Sequence, residues 1–164
     1  MAVTYEPIAT TTLGSAASSI TFSTIPATYT DLRIVFTATV TVADSALIRF
    51  NSDTATNYSR TLLTGTGSAA TSSRNSSVAQ IYLTNDDIST TLPQLFEIDI
   101  FSYAGSTYKT CLIRSSQDKN GSGVVLNEVG LWRSTSAITS FTFVTGLGSF
   151  AVGTTATLYG IKAA

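Results

Sequence analysis

Glu97 and Asp99 are the two carboxylates whose spacing comes nearest to a catalytic pair. Two positions apart in an extended chain, they share a face with Cα atoms about 7 Å apart. Two carboxyl groups at such a separation can divide the acid and nucleophile roles of glycoside hydrolysis. Phe96, Ile98 and Ile100 alternate with them, however, and that pattern marks the solvent side of a half-buried strand. Asp118-Lys119-Asn120-Gly121-Ser122-Gly123 offers oxygen side chains at positions 1, 3 and 5 and glycine at 6 of a calcium loop. Position 12 falls on Val129, with Glu128 one residue early, so the segment reads as a plain turn. Asp86-Asp87 follows Asn85 in another turn, where Asn and Asp bond their own backbone. Trp132 and the seven tyrosines could form a sugar-stacking platform, but a lone Trp ending a strand reads first as core or rim packing.

Histidine is absent, which removes the commonest general base and the Ser-His and Cys-His nucleophile systems together. The single cysteine, Cys111, sits in Thr110-Cys111-Leu112-Ile113 and reads as a small buried apolar residue. Gly65-Thr66-Gly67 and Gly121-Ser122-Gly123 lack the spacing and following helix of a phosphate loop. We therefore expect no catalytic residue, metal site or cofactor, and a protein that is not an enzyme.

Net charge is −1 over 164 residues, only 12% are charged, and the basic residues are scattered singly. Phosphate neutralisation needs clustered Lys and Arg, so nucleic acid is not an expected partner. No apolar run reaches helix-spanning length, so no membrane partner is expected either. The N-terminal residues show no signal-peptide pattern, and the lone cysteine suits a reducing cytoplasm. Serine (22) and threonine (29) make up nearly a third of the chain, while hydrophobic residues reach 43%. That combination predicts a folded body with a neutral, hydroxyl-rich surface.

Period-two alternation dominates, and it predicts an all-β fold, an antiparallel β-sandwich. Strands are expected over residues 8–13, 18–23, 32–40, 46–50, 58–64, 78–83, 96–100, 108–114, 124–133, 138–144 and 155–161, with turn residues between them. A jelly roll is the preferred topology. Residues 65–77, polar and glycine-containing, read as an exposed loop. Residues 14–164 read as one sandwich domain and 1–13 as an N-terminal arm or edge strand. Pro7 holds Glu6 extended and withholds a ladder donor, which suits an edge. In the sharper reading the arm adds a strand to a neighbour, making Tyr5, Glu6, Pro7 and Ile8 the expected partner-contact residues.

The stretches Tyr5–Leu13, Ser19–Arg33, Arg49-Phe50-Asn51-Ser52-Asp53 with Asn57-Tyr58-Ser59, Gly130–Ser134 and Leu158–Ala164 span nearly the whole chain. In these the chain resembles small β-sandwich structural proteins of tailed bacteriophages, of the capsid cement or decoration type. The resemblance implies a virion location after synthesis in the host cytoplasm. It also implies the major capsid protein as partner, self-association as a homotrimer, and a role in bridging and stabilising capsomers. The alternative role it allows is a tail or baseplate component that binds host-surface carbohydrate.

Overall fold

Alternation of apolar and polar side chains builds twelve strands in the computed structural model, which describes residues 4–84 and 86–162. Met1 to Val3, Asn85 and Ala163-Ala164, which parts of the sequence reading touch, lie outside the described residues. The strands are β1 (Tyr5–Thr12), β2 (Ser19–Phe22), β3 (Asp31–Ala38), β4 (Ala46–Phe50), β5 (Tyr58–Gly65) and β6 (Ala70–Val78). They continue with β7 (Ile81–Tyr82), β8 (Gln94–Phe101), β9 (Lys109–Asp118), β10 (Gly123–Trp132), β11 (Phe141–Thr145) and β12 (Thr155–Ile161). An eight-stranded sheet runs β1-β12-β3-β8-β9-β10-β5-β6, and a four-stranded sheet runs β2-β11-β4-β7. All pairings are antiparallel, and the two sheets form a sandwich.

The core lies between the sheets because each strand turns one phase inward. On β3 these are Leu32, Ile34, Phe36 and Ala38, and on β8 Phe96, Ile98 and Ile100, all buried. Phe36 joins the layers: its ring stacks 4.3 Å from Phe143 of the small sheet and 5.3 Å from Phe96 of its own. Phe150 meets it edge-on at 5.3 Å. Burying one such ring is worth about 1.5–3 kcal/mol. A second aromatic group, Phe50, Tyr58 and Trp132, closes the β4–β5–β10 end, with Phe50 and Trp132 centroids 5.7 Å apart.

Of the two readings of the N-terminal segment, the structure has the edge strand. Tyr5–Thr12 pairs with β12 of its own sheet, and the register shifts between Pro7 and Ala9, where proline supplies no donor. Cross-strand hydroxyl pairs Thr10–Thr157 and Thr12–Thr155, both at 3.1 Å, line its outer side.

One expectation is corrected. Residues 65–77 are not a loop: they form the tip of a β5–β6 hairpin and most of strand β6. Gly67, at φ +84°, permits the tight turn, and Thr66 donates its N–H to Ala69 at 3.0 Å. Every residue of β6 except Val78 is exposed, so nothing apolar betrays the strand. Within the sheet its neighbour is β5.

Strands β9, β10, β5 and β6 carry the large sheet beyond the four strands β1, β12, β3 and β8. Part of the inner face there is covered by the chain from Asp86 to Leu92. Gln117 Nε2 donates to the Leu92 carbonyl at 2.7 Å, and Lys119 Nζ holds Asp86 at 2.7 Å.

Candidate functional site

The broad outer face of the eight-stranded sheet carries Glu97 and Asp99, and the register explains their neighbours. Arg33 lies opposite Asp99, and Arg114 opposite Glu97. Arg33 reaches Glu97 at 3.2 Å and Asp99 at 3.5 Å, while Arg114 reaches Glu97 at 3.8 Å. Both carboxylates are thus taken up in cross-strand ion pairs, which on an open sheet are worth about 0.2–1 kcal/mol each. The arrangement organises a surface.

Around this charged centre the same face exposes large apolar side chains. Leu63, Leu95, Phe101, Val125 and Val129 are each 40–62% exposed. Small residues fall between them: Ser116 lies opposite both Leu95 and Val125, and Gly65 lies opposite Val125 and Ala70. The short side chains leave a shallow cavity of about 490 Å³ walled by Leu63, Leu95 and Val125 and bordered by Glu97, Arg114 and Asn127. Apolar walls with a polar margin are the composition of a contact surface.

The four expected partner-contact residues are on β1. Tyr5 is 48% exposed. Glu6 is committed to its own domain: Lys162 Nζ donates to it at 2.7 Å and the Tyr29 hydroxyl at 3.2 Å. The Lys162 bond leads in holding the Glu6 carboxyl below its ordinary range. Pro7 faces Tyr159 at the register shift, and Ile8 packs against the core. Only Tyr5 of the four offers a large exposed side chain.

Trp132 is buried at 2% exposure, so it is no sugar platform. Its Nε1 donates to Asp53 at 2.7 Å, and Asn57 and the Ala55 amide bond the same carboxylate. The Asn57 bond leads, with the Trp132 and Ala55 bonds, in holding the Asp53 carboxyl below its usual range. The Asp118 side chain accepts from the Asn120 amide at 2.8 Å and closes its own turn, with Gly121 at φ +117°. Cys111 is buried, and desolvation pushes its thiol up to about 12.

The sequence reading missed a buried charged group on the inner face. Arg60 and Glu128 are 7% and 1% exposed, and Arg60 Nη1 reaches Glu128 Oε2 at 3.3 Å. The same nitrogen donates to the carbonyls of Tyr82 (2.7 Å) and Thr84 (3.2 Å), while Arg60 Nε donates to Asn75 at 3.0 Å. One guanidinium therefore fastens the β5–β6 hairpin to the segment leaving the small sheet. Burial pushes the Glu128 carboxyl up to about 8, against the pull of Arg60. Around it Thr64, Thr84, Gln94, Ser115 and Gln117 are also buried. Lys109 is another buried cation, its Nζ donating to the Gly105 carbonyl at 2.7 Å. Strand phase could have exposed these groups: Glu128 alternates with Leu126, Gly130 and Trp132, and Lys109 with Cys111 and Ile113.

No protein-family model matches this chain, and no curated protein matches it.

Proposed function

We propose that the protein is a non-catalytic structural component of a tailed-phage virion, a capsid cement or decoration protein that bridges capsomers. Its partners in this reading are the major capsid protein and further copies of itself, as a trimer in the form the resemblance implies. The observation that carries the reading is the outer face of the large sheet. It is a wide, rigid platform with exposed Leu63, Leu95, Val125 and Val129 around a fixed ion-pair cluster. Exposed apolar area of that kind marks an interaction site. A nearly neutral body limits non-specific attraction to packaged nucleic acid.

Strand order supports the jelly-roll reading. Setting aside the hairpins β5–β6 and β9–β10, the sheets run β1-β12-β3-β8 and β2-β11-β4-β7. Each sheet then interleaves strands from the two ends of the chain, the pattern of paired Greek keys used by viral capsid and lectin domains. The two hairpins are additions that pair with each other through β10 and β5 and widen one sheet.

Heads assembled without the chain are the test. They should lose heat resistance and regain it on addition of purified protein. The Leu63→Asp/Val125→Asp variant should fold normally and fail to rebind. Heads of equal stability without the chain, together with no binding of the purified protein, would overturn the proposal. So would density for the chain at the tail tip with hits on a glycan array.

A further inference from the structure

The sandwich has four sheet edges, and three carry a recognisable guard against pairing with another chain. On β1 the guard is Pro7 with its register shift and the Glu6–Lys162 ion pair at 2.7 Å. Strands β2 and β7, the edges of the small sheet, have only four and two residues. Short edges, prolines, irregular registers and charges are the usual devices that keep a sheet from growing.

The fourth edge, β6, is neither short nor interrupted by proline. It is nine residues long, Ala70–Val78, without Pro, Lys, Asp or Glu. Its one register irregularity is confined to the far end, beside Ser77 at φ 55°. Its single charge, Arg74, is folded back onto its own sheet, with Nη1 at 3.4 Å from Thr61 Oγ1 and Nε at 3.3 Å from Ser76 Oγ.

Hairpin parity fixes which main-chain groups face outward. The Thr66–Ala69 bond makes that pair hydrogen-bonded, so the bonded β5–β6 pairs are Thr64–Thr71, Leu62–Ser73 and Arg60–Asn75. The alternate residues Ala70, Ser72, Arg74 and Ser76 therefore turn N–H and C=O away from β5, toward the open side.

From this we infer that β6 is a self-pairing edge. Two copies of the chain join antiparallel through it across a two-fold axis at Ser73. Among registers that pair outward-facing residues, this one sets Ala70 against Ser76 and Ser72 against Arg74 in both directions. It uses all four outward residues of each copy and gives about eight inter-chain bonds. Centring on Arg74 would place like charges directly opposite, which is unfavourable. Centring on Ser72 would leave Ser76 without a partner. At Ser73 the two Arg74 side chains are only diagonal neighbours. A net charge of −1 adds little long-range repulsion between copies. The contact rests on the edge alone and does not depend on the virion reading.

Sedimentation of the purified full chain from micromolar to millimolar concentration tests this directly. The expected association is two-fold, monomer to dimer or, where the trimer of the virion reading also forms in solution, trimer to paired trimers, with amide exchange at Ser72, Arg74 and Ser76 slowing as concentration rises. Ser72→Pro removes an outward N–H and no bond to β5, so it should abolish the dimer at an unchanged unfolding midpoint. Two further variants read the register and do not alter the ladder. Ser72→Glu sets a carboxylate against the other copy's Arg74 and should tighten the dimer, and Ser72→Lys should loosen it, each by roughly tenfold. A chain that is monomeric throughout, an oligomer indifferent to Ser72→Pro, or equal effects of Ser72→Glu and Ser72→Lys would overturn the inference.

Discussion

Replacing Glu128 by glutamine isolates the main electrostatic liability of the fold. In the unfolded chain this carboxyl loses its proton near 4.5, and in the folded protein only near 8. Between those values the folded state holds a proton that the unfolded state has released. Stability must therefore fall as pH rises across the window, and level off above 8. Each pH unit between the two points is worth about 1.4 kcal/mol, so the whole interval amounts to roughly 5 kcal/mol. That is a large share of the 5–15 kcal/mol typical of a domain. No histidine shares the window, and Cys111, raised from 9.0 to about 12, and Tyr58, raised from 10.0 to about 12, add a similar decline only from about pH 9 upward. Urea denaturation of wild type at pH 5, 6, 7, 8 and 9 should show the decline, and Glu128→Gln should flatten it. The variant should match wild type near pH 5 and exceed it by several kcal/mol at pH 9. A wild-type curve level from pH 5 to 8, or a decline that survives in Glu128→Gln, would refute the reasoning.

Three further substitutions probe how the parts are held. Gly130→Ala would bring a Cβ within 2.7 Å of Cys111 Sγ and 2.8 Å of Ile81 Cδ1, so it should cost about 1–3 kcal/mol by thermal melting, partly recovered by adding Ile81→Val. Asp44 accepts from the amides of Ser45 (2.7 Å), Leu147 (2.5 Å) and Gly148 (3.2 Å), and these outweigh the upward push of burial to hold its carboxyl below the usual range. Its contribution is complete above the unfolded value of 3.8 and is lost as pH falls below it. Asp44→Asn should therefore cost about 1–3 kcal/mol at pH 7 and less near pH 2, measured by denaturant titration at both. Trp132→Phe removes the bond to Asp53 while keeping most of the packing, and a loss of about 1–3 kcal/mol is expected in the same assay.

Much of the architecture was legible because burial writes itself into the chain with period two. Leu32, Ile34 and Phe36, and likewise Phe96, Ile98 and Ile100, announce both the strand and its inward phase. Strand β6 was not legible, since a strand with one neighbour and no covered face has no apolar residue to alternate. Its hydrogen bonds to β5 are invisible in a run of Ser, Thr and Asn. The face bearing Glu97 and Asp99 was legible as a solvent face, but the arginines that hold them come from β3 and β9, and only the register shows them adjacent. Arg60 and Glu128 were hidden for a different reason: charged types are expected outside, and here phase overrides type. Glu128 shares its inward phase with Leu126, and Arg60 with Leu62.

The position of β12 has a consequence for how the molecule is made. This last strand, Thr155–Ile161, inserts between β1 and β3. During synthesis β1 emerges before β12, and it has no neighbour in its sheet until β12 has followed it. One flank of β3 stays bare for the same interval. The large sheet can be completed only once β12 has been made, through the joining of segments far apart in sequence, a slow step that leaves hydrogen-bonding edges open to other nascent chains.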